Sequence, residues 1–162
     1  MPGEIGIRPM HWPEDHEFDL SVYESTRLDE LSILGWTSDQ LSEFVRMQYH
    51  AQTQHYRQHY PDAVYSIVTV GGKQAGRLIV ARSEKDIQIV DIALLPKFRS
   101  GGVGGRIVGH LTAEADQAGI PARCHVVASN PARGFWEHLG FAANRVDGGH
   151  ILMERKCATL PP

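Results

Sequence analysis

Hydrophobic side chains change their spacing partway along this chain of 162 residues. Over residues 14–60 they recur every three or four positions, which is the spacing of one face of a helix. Thr37 and, three residues later, Gln40 form the pattern of a capping box, which predicts that a long helix begins there after shorter helical pieces. The first part of the chain is therefore expected to be helical.

After Pro61 the pattern becomes that of β-strands. Three strands are predicted over residues 64–70, 77–82 and 87–95. Gly71 and Gly72 are a strong signal for a hairpin between the first two strands. Pro96 ends the third strand, because proline has no N–H for the ladder. We expect these strands to form an antiparallel meander.

Helices and strands alternate in the rest of the chain. The predicted elements are a helix over 103–118, a strand over 123–129, a short helix over 131–139 and a hairpin of strands over 141–146 and 151–155. The strand over 123–129 follows a helix, so we expect it to pair in parallel with the strand over 87–95. The expected fold class is α+β, a mixed twisted sheet with an antiparallel meander and one parallel pair, flanked by helices.

Composition and charge narrow the functional class. The net charge is −3, so the chain offers no basic field for nucleic acid. No apolar stretch is long enough to span a bilayer, and the first residues lack the pattern of a signal peptide. Two cysteines cannot form a disulfide scaffold. We expect a cytoplasmic protein that binds neither nucleic acid nor membrane.

Four of the sixteen glycines fall within residues 101–105, after the third predicted strand and at the start of the helix predicted over 103–118. Such a loop can bind phosphate, because the N–H groups of the first helical turn lack intrahelical partners and glycine allows close approach. Gly105 is followed by Arg106 and Ile107, so the loop is neither a P-loop nor a dinucleotide fingerprint. The alternative interpretation is a flexible connection without a ligand.

His55 and His59 lie four residues apart, a spacing that metal sites on helices use. No Glu follows His55, so the HExxH pattern is absent. A solvated helix face is the favoured interpretation, and no metal is expected.

Two segments resemble the GNAT superfamily of N-acetyltransferases. The run from Ile89 to Gly104, IVDIALLPKFRSGGVG, is similar to motif A of the family, whose core R/Q-x-x-G-x-G/A begins here at Arg99. The run from Asn130 to Phe141, NPARGFWEHLGF, resembles the next motif, an Asn, a short helix and then Gly-Phe. The two motifs lie at the expected separation and on the expected elements. They imply a GNAT (acyl-CoA N-acyltransferase) fold.

The resemblance also implies a division of labour along the chain. A single GNAT domain is expected over residues 1–157, followed by a short tail over 158–162. Within the domain, the helical region over 14–60 is expected on the acceptor side. Residues 61–155 are expected to form the sheet and the CoA-binding core.

Acetyl-CoA is the co-substrate that the resemblance implies. Its pantetheine arm is expected beside the end of the third strand, and its pyrophosphate on the amides of the glycine loop. The residues expected to bind it are Ala93, Leu94, Leu95, Arg99, Ser100, Gly101, Gly102, Val103, Gly104, Gly105, Asn130 and Trp136.

The family reaction is direct attack by a primary amine, here of a small molecule or peptide, on the thioester. A backbone N–H near Leu94 is expected to stabilise the oxyanion. Asp91 and Glu30 are the catalytic carboxylates expected to accept the amine's proton. The alternatives are a structural Asp91, paired with backbone or an arginine, and a Glu30 that is a solvated helix charge like Glu24 and Asp29.

Trp136 departs from the family pattern. Many relatives have a tyrosine at this position, which can protonate the departing CoA thiolate, whereas an indole cannot act as that acid. Either the thiolate leaves without a protein acid, or another group serves as the acid, or the protein binds CoA without efficient turnover. The alternative function is therefore a non-catalytic acyl-CoA-binding or interaction module. Dimerisation is common in the family, which leaves a homodimer open.

Overall fold

The computed structural model describes residues 3–127 and 132–158. Within these ranges the helices are α1 (His16–Leu31), α2 (Ser38–His59), α3 (Val103–Ala118) and α4 (Arg133–His138). The strands are β1 (Ile5–Pro9), β2 (Val64–Val70), β3 (Lys73–Arg82), β4 (Ile87–Leu94), β5 (Ala122–Val127), β6 (Ala142–Asp147) and β7 (His150–Arg155). Short 3-10 turns over Ser32–Leu34 and Pro96–Phe98 follow α1 and β4.

In the described ranges, the seven strands form one mixed sheet in the order β1-β2-β3-β4-β5-β7-β6. β2, β3 and β4 are consecutive neighbours, as the predicted meander requires. β4 pairs in parallel with β5, residues 87–89 opposite 122–124. β7 lies between β5 and β6 and is antiparallel to both. The expected α+β class with one parallel pair is confirmed.

The strand β1 differs from the sequence prediction, which began the sheet after Pro61. It pairs antiparallel with β2 along all five of its residues. Gly6 and Pro9 are poor strand formers, so β1 carries little local strand pattern. Its pairing with β2, about sixty residues away in sequence, is what makes it a strand.

The helical region follows the predicted signals. The Thr37 hydroxyl accepts a hydrogen bond from the Gln40 N–H at 3.2 Å, and the Gln40 side chain accepts one from the Thr37 N–H at 2.9 Å. The capping box at the start of α2 is thus confirmed. Before it, one helix of 16 residues and a 3-10 turn replace the shorter helical pieces. Among the described residues, no helix has the length and apolar character needed to cross a membrane.

The chain forms two compact units, Met1–Ile79 with Asp91–Gly101 and Val80–Val90 with Gly102–Pro162. In the first unit, α1 and α2 pack around Leu20, Tyr23, Leu31, Val45 and Tyr49. In the second, α3 buries an apolar face of Ile107, Val108, Leu111 and Ala115. Cys124 is free and buried there, and burial raises the pKa of its thiol to about 12.

Candidate active site

The carboxylate of Asp91, on the C-terminal half of β4, belongs to a network of polar side chains inside the first unit. Its Oδ2 atom accepts hydrogen bonds from Nη2 of Arg77 at 2.7 Å and from the Tyr56 hydroxyl at 3.0 Å. Its Oδ1 atom has a longer contact, 3.4 Å from Nε of Arg77. The Asp91 side chain is 14% exposed. The structure therefore shows the arginine pairing that was the alternative for Asp91.

Arg77, on β3, lies at the centre of this network and is 4% exposed. Its Nη2 also donates to the Gln52 side chain at 2.7 Å, and its Nη1 donates to Asp19 at 3.3 Å. Burial alone would lower the pKa of Arg77, but the carboxylates of Asp91 and Asp19 outweigh burial and raise it. Burial and the charge of Asp91 raise the pKa of Tyr56, which keeps its hydroxyl a donor.

Arg77 was not among the residues predicted from the sequence. The sequence does indicate a buried charge at this position, because Arg77 is the charged residue in an otherwise apolar run from Ala75 to Val80. A buried guanidinium needs acidic partners. Asp19 and Asp91 are 58 and 14 residues away, so no local spacing identifies them.

At the end of β4, the backbone groups of Leu94 and Leu95 are oriented differently. The Leu95 N–H donates to the Ala75 carbonyl on β3 at 2.8 Å, and the Leu95 carbonyl accepts from Phe98 at 2.9 Å. Because successive backbone amides of a strand point to opposite sides, the Leu94 N–H faces away from β3. The Leu94 carbonyl accepts a hydrogen bond from Nε of Arg99 at 2.8 Å. Of these two residues, Leu94 therefore has its amide directed away from the meander.

The glycine loop ends where α3 begins. Gly102 is the N-cap of α3 with a φ of +80°, and no side chain caps the helix. The first intrahelical bond joins the Arg106 N–H to the Gly102 carbonyl at 3.1 Å, so the amides of residues 103–105 have no partner within the helix. Among the described residues, no atom beyond the two adjacent residues lies within 4 Å of a Cβ built on Gly101 or Gly102. This open space and the uncapped amides fit a phosphate-bearing ligand.

The second motif is only partly described, because Asn130 lies outside the described residues. Trp136, on α4, is 7% exposed and belongs to the interior of the second unit. Its ring meets those of Phe135 and Phe141 edge to face, with centroids 5.2 Å apart in both pairs. A Cβ on Gly104 would lie 3.4 Å from the Phe135 ring, which is an ordinary van der Waals contact between α3 and α4.

A model of the acetyltransferase (GNAT) family matches residues 26–141 of the chain, more than half of its length. This protein belongs to the GNAT acetyltransferase family. The family membership confirms the prediction of an N-acetyltransferase enzyme. No curated protein matches the chain.

Solved structures share the fold of this GNAT acetyltransferase. The PaiA N-acetyltransferase from Thermoplasma acidophilum, in complex with coenzyme A, is 18% identical, covers 94% of this chain and 99% of its own, and has a TM-score of 0.70. A GNAT family acetyltransferase from Elizabethkingia anophelis with acetyl-CoA bound is 14% identical, with coverages of 94% and 97% and a TM-score of 0.59. A GCN5-related N-acetyltransferase from Rhodopseudomonas palustris is 16% identical, with coverages of 96% and 98% and a TM-score of 0.65.

Three other residues singled out in the sequence of this acetyltransferase, Glu30, His55 and His59, lie on exposed helix surface. Glu30, near the end of α1, is exposed and forms an ion pair with Arg27 at 3.2 Å. His55 and His59 are exposed, and Nδ1 of His59 lies 3.0 Å from the His55 carbonyl oxygen. Within the described parts of the chain, no three His, Cys, Asp or Glu side chains gather as metal ligands would.

Proposed function

We propose that this acetyltransferase moves the acetyl group of acetyl-CoA to a primary amine of a small molecule or peptide by direct attack on the thioester. The start of α3 is the observation that carries this function. Gly101 and Gly102, with open space at their Cβ positions among the described residues, follow a strand end, and no side chain caps the first amides of the helix. Two solved structures of the same fold hold coenzyme A or acetyl-CoA, which supports the same co-substrate here.

The amides of Val103, Gly104 and Gly105 would hold the pyrophosphate, since the start of a helix attracts negative charge. The guanidinium of Arg99 is bound to the Leu94 carbonyl, and its Nη2 lies 3.4 Å from Ser25. We therefore assign Arg99 to holding the loop against the strand end, and the phosphate contacts to the backbone.

The Leu94 N–H, directed away from β3, is the proposed donor to the thioester carbonyl oxygen. A fixed backbone donor stabilises the negative charge that develops on this oxygen, and it needs no reorganisation during the reaction. Ala93 and Leu95 flank this donor and remain proposed contacts of the pantetheine arm. The backbone groups of Leu95 already have partners in Ala75 and Phe98, which favours Leu94 as the donor.

The attacking amine must be neutral and must lose a further proton after attack. As the carbon–nitrogen bond forms, the carbon–sulfur bond breaks and the thiolate leaves. We propose that Oδ1 of Asp91 accepts the proton that the amine loses after attack, directly or through water. Oδ2 of Asp91 already accepts hydrogen bonds from Arg77 and Tyr56. Glu30 is the second candidate for this role. The indole of Trp136 cannot act as an acid, so the thiolate would take its proton from solvent.

An assay of thiol release tests this function. Protein is mixed with acetyl-CoA and a panel of alkylamines, amino-acid amides and peptides with free amino termini, and products are identified by mass spectrometry. Thiol release that requires an amine and saturates with acetyl-CoA is the expected result. Binding of coenzyme A by calorimetry without release for any amine would favour the acyl-CoA-binding module instead. A failure to bind coenzyme A would overturn both.

A further inference from the structure

Exposed apolar side chains concentrate at the corner between α1 and α2, in the first unit. The large ones that lie 39% to 85% exposed there are Leu28, Ile33, Leu34, Trp36 and Met47. Clustered exposed apolar side chains mark binding surfaces more often than apolar side chains scattered singly. Nothing in the proposed transfer of the acetyl group uses these residues.

Part of this corner forms a groove of about 450 Å³. It is lined by Trp36, Gln40, Glu43, Phe44 and Met47. The rings of Trp36 and Phe44 meet edge to face with their centroids 5.1 Å apart, so two aromatic side chains build one wall. The volume is within the range of small-molecule sites, roughly 300–1,000 Å³.

One carboxylate stands in this otherwise uncharged lining. Glu43 makes no ion pair or hydrogen bond with its side chain in the described part of the chain. Arg46, three residues on, is directed to Glu17 with its Nη2 3.9 Å from the carboxylate. The charge of Glu43 is therefore available to a ligand, beside aromatic faces that also attract cations.

We propose that this groove binds a lipophilic organic cation, whose apolar body lies against Trp36, Phe44 and Met47 and whose ammonium group pairs with Glu43. Aromatic faces and a carboxylate both favour positive charge, and the apolar side chains favour a body without other polar groups. An anion would meet the repulsion of Glu43, and a neutral apolar ligand would gain only the contact area.

Calorimetric titration of the full chain, without acetyl-CoA, tests the groove. Benzyltrimethylammonium is the probe, with benzyl alcohol as a neutral control and benzoate as an anionic one. Because this cation has no N–H, it cannot be acetylated, so its binding is independent of the proposed transfer. We expect a Kd below about 1 mM for the cation and weaker binding of the other two by about fivefold or more. Equal binding of benzoate, or no binding of the cation, would overturn the assignment.

Two variants locate the contact. Glu43→Gln should weaken cation binding by about three- to fivefold and leave benzyl alcohol unchanged. Asp39→Asn is the matched control, since it removes the same charge from α2 at a position outside the groove and should change little. Trp36→Leu keeps an apolar side chain but loses the aromatic ring, and should weaken cation binding by about two- to fivefold. Circular dichroism checks that each variant folds.

An interface between copies is the competing use of the same surface. Sedimentation velocity of the wild type and of Met47→Glu decides it. A self-associated chain that Met47→Glu dissociates, together with no cation binding, would assign the corner to a homodimer and overturn the proposal. A monomer that binds the cation in a Glu43-dependent way supports it.

Discussion

A single buried arginine organises the polar interior of the first unit. Arg77 donates to Asp19 and Asp91, and both carboxylates also accept from a tyrosine hydroxyl. Such a network is stable only while its members satisfy one another, because an unpaired buried charge is costly. The same contacts hold the C-terminal half of β4, where the proposed donor Leu94 lies.

Loss of the Arg77 charge should destabilise the protein strongly. Arg77→Met leaves two buried carboxylates without their cation, so we expect the free energy of unfolding to fall by about 3–5 kcal/mol. Urea denaturation measures it. Arg82→Met on the same strand is the control, because Arg82 pairs with Glu114 where both side chains are 45% exposed, and should cost less than about 1 kcal/mol. Equal losses in the two variants would contradict a special role for the buried network.

Asp91→Asn should lower kcat/KM by roughly 10²-fold, since proton acceptance by a positioned group contributes about that much. Glu30→Gln, on exposed surface, should change kcat/KM by less than about twofold. The Tm and the KM for acetyl-CoA separate proton acceptance from packing. A lowered kcat with an unchanged Tm and an unchanged KM for acetyl-CoA indicates proton acceptance. A lowered Tm with a raised KM would assign Asp91 a positioning role.

At the scale of the element, α3 is bounded by two left-handed glycines. Gly102 precedes the helix with a φ of +80°, and Gly119 ends it with a φ of +70°. At both glycines, no atom of the described chain beyond the adjacent residues lies within 4 Å of the Cβ position. The backbone conformation rather than crowding therefore requires glycine there. Only Gly102 belongs to the proposed phosphate loop.

This pair gives a matched test of the loop. Gly102→Ala and Gly119→Ala should each destabilise the protein by about 1 kcal/mol, because both place a side chain at positive φ. Gly102→Ala should also raise the KM for acetyl-CoA by about tenfold, since the loop must reshape before the amides meet the phosphates. Gly119→Ala should leave this KM unchanged. Equal KM values in the two variants would contradict the phosphate role of the loop.

At the scale of the whole molecule, each unit holds a carboxylate whose charged form is favoured by folding. In the first, hydrogen bonds from Arg8 and the His11 N–H keep the pKa of Asp15 well below its usual range. In the second, hydrogen bonds from Arg155 and the Ala158 N–H lower the pKa of Asp116. Both carboxylates bind protons more weakly folded than unfolded, so acid should favour unfolding.

Asp15 is the more buried of the two, with a side chain 6% exposed. The contribution of ionised Asp15 to the free energy of unfolding should be complete above about pH 5. It should be lost as the pH falls below about 4, toward the pKa of Asp15 in the folded protein. Between pH 6 and pH 3, the free energy of unfolding of Asp15→Asn should fall by about 1–2 kcal/mol less than that of the wild type. Asp62→Asn, at an exposed position, is the control. A variant with the pH dependence of the wild type would contradict this assignment.

Much of the fold and part of the site could be predicted because their signals are local. A capping box, paired glycines at turns and a proline after β4 act within a few residues. The glycine loop was found for the same reason, as was the order of elements that places it before α3. The strand β1 was missed, since its partner β2 lies far along the chain and its own residues are poor strand formers.

What the sequence alone determined is the type and order of most elements, the family and the place of the loop. These depend on spacing, turn chemistry and motif, which need no knowledge of distant residues. Only the tertiary structure decided that Asp91 lies against Arg77 and Tyr56, that the Leu95 N–H donates to the Ala75 carbonyl, and that Trp136 is buried. The partners of Asp91 come from residues 14 and 35 positions away, and such pairs meet only when packing brings their elements together.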